Sequence, residues 1–89
     1  MKTLILVSLC ESVKSFKNEN GYKEYIYEFH FRGAYAGVEI KKVVINSTSP
    51  IGFVVGGEYL LHVEVFSCSQ GEIQGRALKS RSFKSLKLN

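Results

Sequence analysis

Apolar and polar residues alternate with a period of two along most of this chain of 89 residues. In YKEYIYEFHFR, Tyr25, Tyr27, Phe29 and Phe31 fall on one face and Glu24, Ile26, Glu28, His30 and Arg32 on the other. That pattern predicts a half-buried strand rich in aromatics. YLLHVEVF repeats it, with Tyr59, Leu61, Val63 and Val65 against Leu60, His62, Glu64 and Phe66. GVEIKKVVIN alternates and then slips at Lys41–Lys42, where a β-bulge restores the phase. TLILVSLCESVKSF is long enough for one bent strand serving two parts of a sheet. EIQGRALKSRSF is a weaker strand whose internal Gly75 suits a bulge or a tight barrel corner.

The breaks between these runs are turn signals. NENGY holds Asn20-Gly21, a strong hairpin dipeptide. RGAYAG is a glycine-flanked turn, and SCSQGE offers Gly71 for a positive φ. NSTSPIGFVVGG is too short and too rich in Gly for a long helix, although Pro50 after Ser49 allows one helical turn. Five strands from so short a chain leave edges that closure removes. The expected fold is therefore all-β, a small five-stranded antiparallel OB-like barrel, whose variable insert lies between strands three and four. An SH3-like barrel competes, and a short sheet packed on a partner chain comes third. The barrel domain is placed at residues 1–83 and a short basic tail at 84–89.

The first residues also admit an export reading. Lys2 supplies a charge, but the apolar run Leu4–Leu9 is short, Ser8 interrupts it, and Leu9 rather than a small residue precedes Cys10. The segment reads as a strand, and no other stretch reads as a membrane span. Cys10 and Cys68 have neither metal-ligand spacing nor a CxxC pairing, which points to two reduced thiols in a cytoplasmic compartment. The net charge of +4 is unevenly placed. Residues 1–70 balance, while 71–89 carry Arg76, Lys79, Arg81, Lys84 and Lys87 against Glu72 alone. Such a bias suits a polyanion or a solubilising end.

In GGEYLLHVEVFSCSQGEIQGRALKSRSF, Gly-x-Tyr opens a strand, a glycine turn follows, and the last strand is basic. With the hairpin SFKNENGYKEYIY, this resembles small OB-fold single-stranded DNA-binding proteins of the filamentous-phage kind. The likeness spans nearly the whole chain through unspecific motifs. It implies that the first hairpin acts as a DNA-contacting wing. Lys17 and Lys23 fit that role, while Glu19 and Glu24 dilute them, so the affinity it implies is modest.

Catalytic chemistry finds little support. His30 and His62 sit in alternating strands with no local nucleophile or carboxylate motif, and the chain has no aspartate. Gly52, Gly56 and Gly57 lack the spacing of a phosphate loop. No enzyme activity, metal or cofactor is expected. Binding of a single strand needs cations along a groove and rings for base stacking. Lys14, Phe16, Lys17, Tyr22, Lys23 and Tyr25 surround the first hairpin; Arg32, Lys41 and Lys42 extend the track, and Arg76, Lys79 and Arg81 flank it. The ordinary structural role of Tyr25, Tyr27, Phe29 and Phe31 is to fill the barrel. The expected function is single-stranded nucleic-acid binding, DNA over RNA. The alternative is an OB-fold adaptor or oligomerisation module. Outward Ile26, Leu60 and Phe66 point to a homodimer, with no membrane association.

Overall fold

The computed structural model describes residues 2–82. Among these residues there is no helix, and five strands form: β1 (Lys2–Lys17), β2 (Lys23–Tyr35), β3 (Val38–Ser47), β4 (Glu58–Ser69) and β5 (Glu72–Ser82). The expected tail at 84–89, with Lys84 and Lys87, lies outside the described residues, as do Met1 and Phe83. The strands close into a barrel in the order β1-β2-β3-β5-β4, and β4 returns to β1. The expectation of an all-β, five-stranded OB-like barrel holds, with one correction. β3 and β5 run parallel, pairing Lys42–Ile45 with Glu72–Gly75. The reason is arithmetic: an odd number of strands cannot alternate direction all the way round a closed ring.

β1 is the bent strand that its length implies. Residues 2–9 pair with β4 and residues 9–17 with β2, and the register shifts at the bend, leaving Glu11 as the extra residue between Cys10 and Ser12. The slip in β3 also lies where the alternation breaks. The Lys41 and Lys42 amides both donate to the Gly71 carbonyl, at 2.8 and 3.2 Å. Two successive amides on one carbonyl leave one extra residue, so Ile40, Val43 and Ile45 can all be buried. In β5, Gly75 is buried against β4, and a Cβ there would collide with the Glu64 carbonyl and the Val63 side chain. Next to it the β4 register skips Phe66, which leaves the ladder as a bulged residue. Two-residue turns at Ala36–Gly37 and Gln70–Gly71 have positive φ at both positions, the form whose twist matches paired strands.

Closure sends one side chain in two to the interior. Tyr27, Phe29, Ile40, Val43, Ile45, Leu61, Val63 and Ile73 are fully or almost fully buried, as the aromatic stripe of β2 implies. Residues 48–57 cross one end of the barrel without the helical turn that Pro50 would permit. Gly52 and Gly56 take φ of 93° and 90°, which no helix accommodates. The segment instead inserts Phe53 into the barrel end, where its ring meets Tyr27, Phe29 and Tyr59 edge-on at 5.0, 5.0 and 4.8 Å. The Ile51 amide donates to the Tyr27 hydroxyl and the Val54 amide to the Tyr59 hydroxyl, each at 3.0 Å. Beyond it, Cys10 and the Gly56–Gly57 backbone exchange hydrogen bonds. Cys10 and Cys68 are both free thiols, and burial pushes the Cys10 thiol above its ordinary pKa.

Phe53 is thus the plug of a core too small to close over a hole. Phe53→Ala is expected to cost about 3–5 kcal/mol, a large share of the roughly 5–15 kcal/mol available to a domain. Phe53→Leu should cost clearly less. Urea unfolding followed by far-UV circular dichroism measures both.

Candidate nucleic-acid interface

The first hairpin is stiffened at its tip. Asn18 Oδ1 accepts from the Asn20 and Tyr22 amides at 2.9 and 3.1 Å, and Gly21 takes a φ of 82°. Asn18 Nδ2 donates to Glu24 Oε2 at 2.8 Å, tying the turn to the foot of β2. This frame holds Tyr22 at 69% exposure and Phe16 at 45%. Lys14, Lys17 and Lys23 are exposed beside them; Lys17 pairs directly with Lys23 across the ladder, and Phe16 with Glu24. Tyr25 is turned the other way. It packs against the core, with its ring stacked on Tyr27 at 6.4 Å.

The wall formed by β2 and β3 is less cationic than a count of lysines implies. Glu28 stands in its middle. Ser12 Oγ donates to Glu28 Oε1 at 2.6 Å, Lys14 Nζ lies 3.9 Å from Oε1, and Lys42 Nζ lies 3.8 Å from Oε2. The Ser12 hydrogen bond, with help from the two lysines, holds the Glu28 carboxyl below the usual glutamate range against a smaller desolvation effect. Lys14 and Lys42 are therefore partly neutralised. Arg32 and Lys41 are exposed near the β2–β3 register shift and form no ion pair among the described residues. His30 Nδ1 lies 3.7 Å from Glu11 Oε2. Outward positions of this wall carry Glu24, Ile26, Glu28, His30, Lys42, Val44 and Asn46, with no aromatic ring.

The β5 cations divide between two places. Arg76 Nε donates to Glu64 Oε1 at 2.5 Å and is neutralised there. Lys79 and Arg81 pair with His62 and Leu60 of β4, whose neighbours on β1 are Ile5 and Val7. They line a small depression of about 110 Å³ with Leu60, His62 and Ser80, on a different stretch of wall from Lys14 and Lys42. The twelve residues expected to bind therefore form no single track. The hairpin brings together Lys14, Phe16, Lys17, Tyr22 and Lys23; Lys42 meets Lys14 only through Glu28, Tyr25 is turned to the core, and Arg32, Lys41, Arg76, Lys79 and Arg81 lie on other stretches of the barrel.

The three residues expected at an interface are likewise scattered. Ile26 sits between Lys14 and Asn46, Leu60 between Val7 and Arg81, and Phe66 is 63% exposed at its bulge. Two features escaped the sequence reading. Ile5, Val7 and Leu9 point outward beside Leu60, and the continuous apolar run Leu4–Val7 contains no period to separate inside from outside. An open cleft of about 420 Å³, lined by residues of β2, β3, β4, β5 and the 48–57 segment, had no local signal at all. Among the described residues no three His, Cys, Asp or Glu side chains gather as a metal-ligand set. No helix among them is long and apolar enough to cross a membrane. Compared with protein-family models, with curated proteins and with solved structures, the chain matches none.

Glu28 allows a direct test of this electrostatic arrangement. Its folded pKa lies below the unperturbed value of 4.5. Its contribution is therefore complete above that value and disappears as pH falls through the folded pKa. Glu28→Gln should cost about 1 kcal/mol at neutral pH. The gap from the parent protein should narrow on acidification below about pH 4.5. Urea titrations across that range measure both effects.

Proposed function

We propose that this chain is a non-catalytic single-stranded nucleic-acid-binding protein, acting on DNA in preference to RNA. The observation that carries the reading is the braced first hairpin, which presents two exposed rings, Phe16 and Tyr22, among Lys14, Lys17 and Lys23. A ring for stacking beside a cation for phosphate is the unit that single-strand binding requires. The closed five-stranded barrel supports the reading as a scaffold on which such hairpins grip oligonucleotides. The preference for DNA draws on the resemblance described above. Two free thiols fit a reducing, cytoplasmic setting. Glu28 between two lysines and Glu64 on Arg76 make the affinity modest.

One observation favours a second reading, self-association without nucleic acid. Ile5 is 59% exposed, and Val7, Leu9 and Leu60 continue an apolar strip across β1 and β4. Such a strip suits a homodimer contact.

Salt separates the two. Fluorescence anisotropy of a labelled oligodeoxynucleotide should show binding at low salt that weakens as salt rises. The slope should be roughly 0.7 in log units per neutralised phosphate, or about 2 for the three hairpin lysines. Tyr22→Ala with Lys17→Ala should remove most of the binding, while Glu28→Gln should strengthen it. No binding at low salt, together with a salt-insensitive dimer by light scattering, would decide for self-association.

A further inference from the structure

The cleft of about 420 Å³ exists because β3 and β5 part company. Their parallel pairing ends at Ile45 and Gly75. Beyond that point Asn46 and Thr48 form one wall, Phe66 and Arg76 the other, Ile51 lies between, and Glu24 stands at the foot of the hairpin. Its volume falls within the range of small-ligand sites, about 300–1,000 Å³. The bulge in β4 places Phe66 on the rim with its ring 63% exposed.

We propose that this cleft receives one base of the bound strand, stacked on Phe66, with a preference for a base that carries an exocyclic amine. The proposal rests on the nucleic-acid reading above and adds a base-selective subsite to it. The polar groups indicate the ligand. Glu24 Oε2 is occupied by Asn18 Nδ2, and its other oxygen has no partner among the described residues. The Asn46 amide and the Thr48 hydroxyl also have none among them. A carboxylate in the cleft repels a phosphate, and Arg76 is already paired with Glu64. The same carboxylate accepts a hydrogen bond from an amine such as cytosine N4, which thymine lacks. An aromatic rim with an acidic acceptor fits a base better than a backbone.

The chain has no tryptophan, so Phe66→Trp installs a single indole reporter that keeps a ring on the rim. Oligo-dC should quench that indole as it binds, whereas the indole of Ile5→Trp, on the β1–β4 wall, should keep its emission. Parent protein should bind oligo-dC more tightly than oligo-dT, a comparison that needs no substitution. Glu24→Ala should abolish that difference by lowering the affinity for oligo-dC toward that for oligo-dT, whereas the loss of its hydrogen bond to Asn18 affects both oligonucleotides alike. Phe66→Ala should lose about 5- to 150-fold in affinity, the worth of one stacked base. If anisotropy shows binding while the Phe66→Trp indole stays unquenched and oligo-dC and oligo-dT bind alike, the cleft assignment is wrong and the hairpin reading stands. If parent protein binds neither oligonucleotide at low salt, both are wrong.

Discussion

Everything in this small barrel depends on four residues of parallel ladder. β5 lies beside β4 along its length, but only the pairing of Lys42–Ile45 with Glu72–Gly75 joins it to β3 and closes the ring. Without that ladder β3 and β5 would be open edges, and the inward rings of β2 would lie on an open sheet. The last member of that ladder, Gly75, lets β4 close in on β5 at the same point. Any Cβ there would push into the Glu64 carbonyl, and that carbonyl belongs to the strand on the other side of β5. A single missing side chain therefore lets three strands approach at the seam.

Closure also decides where the aromatic residues go. A chain of 89 residues can bury only a modest core. Here that core is mostly aliphatic, and Phe53 closes its end against the rings of Tyr27, Phe29 and Tyr59. Buried Tyr27 and half-buried Tyr59 also act as acceptors for the amides of Ile51 and Val54, so the crossing segment needs no helix to satisfy its backbone there. Aromatic richness, which a composition reading would credit to stacking, is mostly used on packing. Among the described residues, the aromatics that remain outside are Phe16, Tyr22 and Phe66.

The legibility of the sequence follows the same division. Alternation in β2 and β4, the hairpin at Asn20-Gly21, the slip at Lys41–Lys42 and the corner at Gly75 were readable, because each is a local consequence of strand period or glycine conformation. The parallel pair was readable in principle from parity alone. The outward row Ile5, Val7 and Leu9 was not, since a run that is apolar at every position carries no phase. The site was read less well than the fold for a related reason. Lys79 looks close to the other cations in a list of charges, yet it faces His62 on another wall, and Arg76 is taken by Glu64. Strand pairing across the closure, which no local pattern reports, determines these neighbours.

Charge and bulges together explain why binding should concentrate at one end of the molecule. A net charge of +4 says little about the field at a surface where Glu28 lies between Lys14 and Lys42 and Glu64 holds Arg76. On the β2–β3 wall the cations are partly neutralised and no ring is present, so a single strand gains little there. The hairpin tip differs in both respects, with Lys17 and Lys23 outside any ion pair among the described residues and two rings exposed. At the foot of that hairpin Glu24 lines the same cleft as Phe66, whose ring is exposed. Phe66 is available because a bulge is the one place where a sheet presents a side chain outside the alternation that would otherwise assign its face. The irregularity that keeps β4 and β5 in register through the tight seam at Gly75 thus also supplies the rim of the cleft, so the proposed site follows from the way the barrel closes.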